Sequence, residues 1–191
     1  GSLASILSLR LLGSAGNDTV TVDDINTLPD FGGTVPGVTD NLNLGGTAEL
    51  LFDGLGGSDT LVYNINGNTA SQSYAIGNGT GTAGLEGEVQ SVAAGVTLDA
   101  YFQNVELTQR TGVGPAAGAL TIVGDSGVNI FSTAANGTAT RTDITGYTPF
   151  EFSGDNYTSL AINALGGADS IDLVSFGTAQ NNDPAIALNG G

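Results

Sequence analysis

The nonamer GLGGSDTLV at 54–62 recurs in altered form as GSAGNDTVT (13–21), GDSGVNIFS (124–132) and ALGGADSID (164–172), and this repetition constrains the chain more than any other feature. In each copy the fourth position is glycine (Gly16, Gly57, Gly127, Gly167), the sixth is Asp18, Asp59, Asn129 or Asp169, and the eighth is apolar. An extended apolar stretch leads into every copy. The glycine lets the backbone turn, the Asp or Asn side chain accepts from nearby backbone amides, and the alternation that follows departs as a strand. Each copy therefore reads as strand, turn, strand.

Units of this kind stack through strand pairing, with apolar side chains lined up inside and turns outside. The expectation is an all-β chain wound as a parallel β-helix or β-solenoid, with roughly 20–25 residues per turn and each rung adding about 4.8 Å. The aspartates are about 40 residues apart in the first pair of copies and about 40 again in the last, but about 70 across the middle. A degenerate stretch, AAGVTLDAY at 93–101, falls near where a further copy is expected.

Strand-like alternation also marks TLVYNI (60–65), VTLDAYF (96–102), ALTIV (119–123) and SLAINAL (159–165), and no helical period competes with it. Asn-Gly pairs inside YNINGNTASQSY (63–74) and STAANGTATRTD (132–143) signal hairpins. As excursions from a rung they fit the β-helix; as links between antiparallel strands they fit the alternative, a β-sandwich. Residues 1–191 read as a single β domain, one unit of a longer tandem array or of a filament.

Nineteen acidic residues stand against three arginines and no lysine, for a formal charge of −16. Such a surface repels nucleic acid and anionic membranes and concentrates divalent cations. With no cysteine and no histidine, disulfides, zinc sites and the commonest general base are excluded, so an enzyme is not expected. Arg110 and Arg141 are expected to meet carboxylates at the surface. The opening GSLASILSLRLLGS is broken by Arg10 and too short to insert into a membrane. Abundant glycine, threonine and asparagine without lysine fit an extracellular or cell-surface setting. The phenylalanines are expected in the core, and the tyrosines at interfaces with one end wet.

GLGGSDTLV and GSAGNDTVT resemble the calcium-binding nonapeptide of repeats-in-toxin proteins, glycine-glycine-x-glycine-x-aspartate-x-apolar-x. They are also similar to the glycine-aspartate repeat regions of giant bacterial surface and matrix proteins, whose lead-in NVELT (104–108) resembles. The resemblance implies an extracellular, repetitive, non-catalytic protein with calcium as an optional cofactor. Carried onto this chain, the ligands are the carboxylates of Asp18, Asp59 and Asp169 and backbone carbonyls near Gly16, Gly57 and Gly167. Asp53 and Asp172 flank the same loops and are supplementary candidates. Two departures stand out: the second glycine of the motif is here Ser14, Leu55, Asp125 or Leu165, and the copies are not adjacent. One loop alone offers only part of a shell of six to eight oxygens. The other reading of the same aspartates is that they fasten turns.

The chain runs from SILSLRLL into a complete motif and ends in PAIALNGG, an apolar strand followed by two glycines. Uncapped, both ends present strand edges that pair with a matching strand, so end-to-end self-association is expected. Two functions follow: a structural protein that builds a fibre, sheath or surface matrix by head-to-tail stacking, or a calcium-binding adhesin module presenting loops to carbohydrate or protein.

Overall fold

A computed structural model describes residues 6–23, 31, 33–36, 38, 44, 48–64, 71–77, 84–93, 95–111, 118–152, 157–178 and 185–191. Glycine-rich breaks and β-favouring runs divide these residues into strands, and among them there is no helix. The strands are β1 (Leu9–Leu12), β2 (Thr19–Asp23), β3 (Leu50–Asp53), β4 (Thr60–Asn64), β5 (Ser71–Ile76), β6 (Glu86–Ala93), β7 (Val96–Gln103) and β8 (Leu107–Thr111), then β9 (Gly118–Val123), β10 (Ile130–Asn136), β11 (Ala139–Ile144), β12 (Phe150–Phe152), β13 (Tyr157–Asn163), β14 (Ser170–Leu173) and β15 (Ala185–Asn189).

They form two mixed sheets. Sheet A has eight strands in the order β1-β3-β7-β6-β5-β9-β13-β15, and sheet B has seven in the order β14-β10-β11-β12-β8-β4-β2. Five corners carry the chain from A to B: β1 to β2, β3 to β4, β7 to β8, β9 to β10 and β13 to β14. Most neighbours are parallel, and two antiparallel meanders, β5-β6-β7 in sheet A and β10-β11-β12 in sheet B, interrupt the parallel pairing. The all-β expectation holds at this coarser level. Of the two expected hairpins, the STAANGTATRTD segment forms one and lies within sheet B, where Asn136 pairs with Ala139 and Gly137 has φ 64 at the first position of a two-residue turn. YNINGNTASQSY does not form the other, because β4 and β5 on its two flanks belong to different sheets and pair with other strands. The Asn66-Gly67 pair lies outside the described residues.

The two inner faces share one core. Alternate residues point inward, as in β4, where Leu61 and Tyr63 are buried between half-exposed neighbours. Aromatic rings bridge the sheets: Tyr74 of sheet A stacks on Phe150 of sheet B at 4.8 Å, Phe150 on Phe152 at 5.8 Å, and Phe152 meets Tyr157 edge-on at 5.7 Å. Three expectations are corrected here. Tyr63, Tyr74 and Tyr157 have no wet end: all three are fully buried, with the Tyr74 hydroxyl donating to the Thr148 carbonyl at 2.6 Å. Arg110 is buried rather than on the surface, its guanidinium 5.7 Å from the centre of the Tyr157 ring, a cation–π contact. The AAGVTLDAY stretch is not a further copy of the motif, because Ala93 pairs with Val96 across a tight turn at Gly95. Arg141 does meet a surface carboxylate, Asp143, at 2.7 Å.

Candidate functional site

The corners bring the repeated residues together. Parallel pairing in register sets the first corner, 13–18, on the second, 54–59, and the fourth, 124–129, on the fifth, 164–169. The third, 104–106, lies on the other side of the second.

Acidic side chains link one corner to the next through backbone amides. The Asp18 N–H donates to Asp59 Oδ1 at 2.7 Å, the Asp59 N–H to Glu106 Oε2 at 2.6 Å, and the Asn129 N–H to Asp169 Oδ1 at 2.8 Å. Each is a charge-assisted bond in which a carboxylate meets a neighbouring corner's amide, so acids stacked at the strand spacing are shielded from one another. The links all point the same way, donor toward β1 and acceptor away from it. Main-chain bonds follow alongside, from Gly13 N–H to the Asp53 carbonyl at 2.7 Å and from Gly124 N–H to the Asn163 carbonyl at 2.7 Å.

The repeated corners are of two kinds. At Ser14 and Asp125 the side chain closes the turn: Ser14 Oγ accepts from the Gly16 N–H at 3.1 Å, and Asp125 Oδ1 from the Gly127 N–H at 2.8 Å. At Leu55 and Leu165 the backbone closes it instead, with φ of 68 and 64, followed by Gly57 and Gly167 at φ 127 and 128. Only glycine adopts the latter readily, and a Cβ at Gly57 would collide with the Gly16 carbonyl, as one at Gly167 would with that of Gly127. Gly57 and Gly167 are thus fixed by conformation and contact together, while Gly16 and Gly127 supply the carbonyls they lie against.

The geometry sorts the expected site residues. Asp18 Oδ2 accepts from its own corner, from the Ser14 N–H at 2.6 Å and the Ser14 Oγ at 2.9 Å. Asp53 is fully engaged, taking Asn104 Nδ2 at 2.8 Å and Gln103 Nε2 at 2.9 Å. Asp59 and Asp169 are alike: each uses Oδ1 in the ladder and leaves Oδ2 buried without a donor. At the second corner the left-handed Leu55 turns its N–H away from Asp59, toward Asp53 Oδ1 at 3.2 Å. Asp172 is not drawn in with Asp169; it is exposed on β14 opposite Ser132. Among the described residues no group of three or more acidic side chains gathers around a common metal position.

Several participants escape the motif. Glu106 takes the place of the corner aspartate, and Asn104, at φ 53, takes the left-handed position, without a glycine in the segment. An acid placed one residue before an extended run, 47 residues past Asp59, is the signal that marks it. Asp125 also accepts from the buried Tyr147 hydroxyl at 2.6 Å, and burial together with that carboxylate pushes the phenol well above its ordinary pKa. Asn17 Oδ1 takes the Ser58 N–H at 3.0 Å. No family model, curated protein or solved structure matches the chain.

Proposed function

We propose that this is an extracellular, non-catalytic structural protein whose strand–corner–strand units are the rungs of a β-solenoid, and whose copies join end to end into a fibre, sheath or surface matrix. The carrying observation is the pair of one-way ladders, Asp18 to Asp59 to Glu106 and Asn129 to Asp169, each of which ties stacked corners together through backbone amides. The corner acids are committed to backbone amides rather than poised beside a nucleophile. Support also comes from the strands that edge the two sheets among the described residues, β1 and β15 in one and β2 and β14 in the other. Sedimentation and negative-stain imaging across protein concentration, with calcium and with chelator, test this. Linear oligomers are expected; a monomer at every concentration overturns it.

A second reading, a monomeric calcium-binding adhesin module that offers loops to carbohydrate or protein, is favoured by one feature. Asp59 Oδ2 and Asp169 Oδ2 are hard anionic oxygens with no donor, in two equivalent corners. Such oxygens suit calcium, which would stiffen the corners, the rest of its shell coming from carbonyls and water. That reading predicts a monomer whose melting temperature rises only with added calcium.

A further inference from the structure

Both sheets divide at the same point of the sequence. In sheet A the strands that precede residue 112 lie together as β1-β3-β7-β6-β5, followed by β9-β13-β15; in sheet B β8-β4-β2 lie together, and β14-β10-β11-β12 come from the later part of the chain. The molecule therefore has two halves, each holding an unbroken part of both sheets, and the chain passes from one to the other once, between β8 and β9. Among the described strands two pairings join the halves, β5 with β9 and β8 with β12, both parallel. The boundary is stepped. Beyond β7 and β8 the first half adds β6 and β5 in sheet A, and the second half supplies β12 and β11 in sheet B.

At this step the chain makes no corner. β5 turns back into β6 and β11 into β12, and Gly84 and Tyr147 of the two reversals meet in a parallel bridge. The ladders keep to one side or the other: Asp18, Asp59 and Glu106 belong to the first half, Asn129 and Asp169 to the second. A fitted contact spans the seam instead. Tyr74 of the first half stacks on Phe150 of the second at 4.8 Å, and its hydroxyl donates to the Thr148 carbonyl at 2.6 Å. Thr148 Oγ1 in turn donates to the Val105 carbonyl at 2.6 Å, and the Thr108 N–H to the Pro149 carbonyl at 3.1 Å. Tyr74, Phe150 and Thr148 are all buried. Each half thus carries an apolar surface, keyed by hydrogen bonds, that is shaped for the other.

We infer that this seam is also the joint between copies: the first half of one chain takes the second half of another in place of its own. The inference rests on the self-association reading above and names its surface. Exchange across the seam forms the same strand pairings and the same Tyr74–Phe150 contact as the closed chain, so the two states differ chiefly in the β8–β9 connection and in chain concentration. A short connection holds its two ends at an effective concentration on the order of 1 mM. Dilute chains therefore close on themselves, and crowded chains exchange. Passed on from copy to copy, the exchange builds a linear string. Opening the seam uncovers core aromatics, so exchange is slow, and moderate urea speeds it.

The chain has no cysteine, so the seam can be marked directly. Ser73 and Thr121 are half-buried neighbours in register across β5 and β9, and strands so paired stand about 4.8 Å apart, within reach of a disulfide. The double variant Ser73→Cys/Thr121→Cys, oxidised while dilute, is pinned shut within one chain. On concentration it should stay monomeric where the parent forms linear oligomers, and reductant should restore them. In a second experiment, chains carrying Ser73→Cys and chains carrying Thr121→Cys are concentrated together and then oxidised. A mixed disulfide is expected. The same treatment of Thr21→Cys and Val62→Cys, neighbours on β2 and β4 inside the first half, should give none. If the pinned variant assembles as well as the parent, if no mixed disulfide forms, or if the internal pair links as readily as the seam pair, this inference falls while end-to-end assembly stands. If the parent stays monomeric at every concentration, both fall.

Discussion

Removing the Asp59 carboxylate tests what the corner aspartates are for. Asp59 is 1% exposed; its Oδ1 takes the Asp18 N–H at 2.7 Å, and its Oδ2 has no donor. Asp59→Ala removes a charge-assisted bond of about 1.5–3 kcal/mol and strands the Asp18 N–H, while relieving a buried oxygen that was itself unpaired. A net loss of about 2 kcal/mol follows, which for a domain of this size lowers the melting temperature by about 4–8 °C. Asp59→Asn should behave differently. Its carbonyl keeps the bond to Asp18, and its amide replaces the orphaned oxygen beside the Asn104 carbonyl, which lies against the same side of Gly54. An asparagine already stands at this position in the fourth corner, where Asn129 Oδ1 accepts from the Asp125 N–H at 3.0 Å and Nδ2 donates to Asp125 Oδ1 at 2.9 Å. The asparagine variant is therefore expected within about 0.5 kcal/mol of the parent. Urea unfolding with an unchanged slope, in chelator and then in calcium, measures both variants. If asparagine costs as much as alanine in chelator, the bond to Asp18 is not what Asp59 contributes. If calcium stabilises the parent and not the asparagine variant, Oδ2 is a ligand and the second reading gains.

Gly57→Val forces a side chain into a φ of 127 and against the Gly16 carbonyl, so a loss of about 3 kcal/mol or more is expected, whereas Gly56→Ala, with open space at its Cβ, should stay within about 0.5 kcal/mol in the same urea assay. Leu55→Gly should stabilise by about 1 kcal/mol, because Leu55 is 53% exposed yet holds a φ of 68; a destabilised variant would mean that its side chain packs usefully. Burial pushes the Tyr63 and Tyr74 phenols well above their ordinary pKa of about 10, with Glu88 and Asp99 adding to the effect at Tyr63. The folded chain then keeps protons that the unfolded chain releases. Their contribution is complete below about pH 10 and falls as pH rises further, by up to about 1.4 kcal/mol per pH unit for each phenol. Alkaline unfolding followed by phenolate absorbance checks it, and reversible titration of both phenols near pH 10 in the folded chain would refute it.

What could be read from the residues, and what could not, divides along a physical line. Strands β2, β4, β7, β9, β13 and β14 were legible because alternation and flanking glycines are local signals. The face a strand presents is not local, and LTQRT in β8 illustrates the difference. Its leucine suggests that Leu107, Gln109 and Thr111 point inward, yet pairing with β4 sets Thr108 on Leu61 and Arg110 on Tyr63, so the arginine goes into the core. Register was decided by the Glu106 corner, and a residue fastened to the next corner by one carboxylate needs no glycine to announce it.

The same distinction accounts for the missing second glycine of the nonapeptide. Ser14 and Asp125 replace its conformational freedom with a side-chain acceptor, while Leu55 and Leu165 accept the left-handed conformation. Two stacked pairs, the first with the second and the fourth with the fifth, hold one corner of each kind. The side-chain-closed corner offers a carbonyl, at Gly16 or Gly127, and the left-handed corner meets it with a bare glycine, Gly57 or Gly167. The departures from the motif therefore belong together: what fits is a pair of unlike corners, and changing either one alone should cost more than exchanging both.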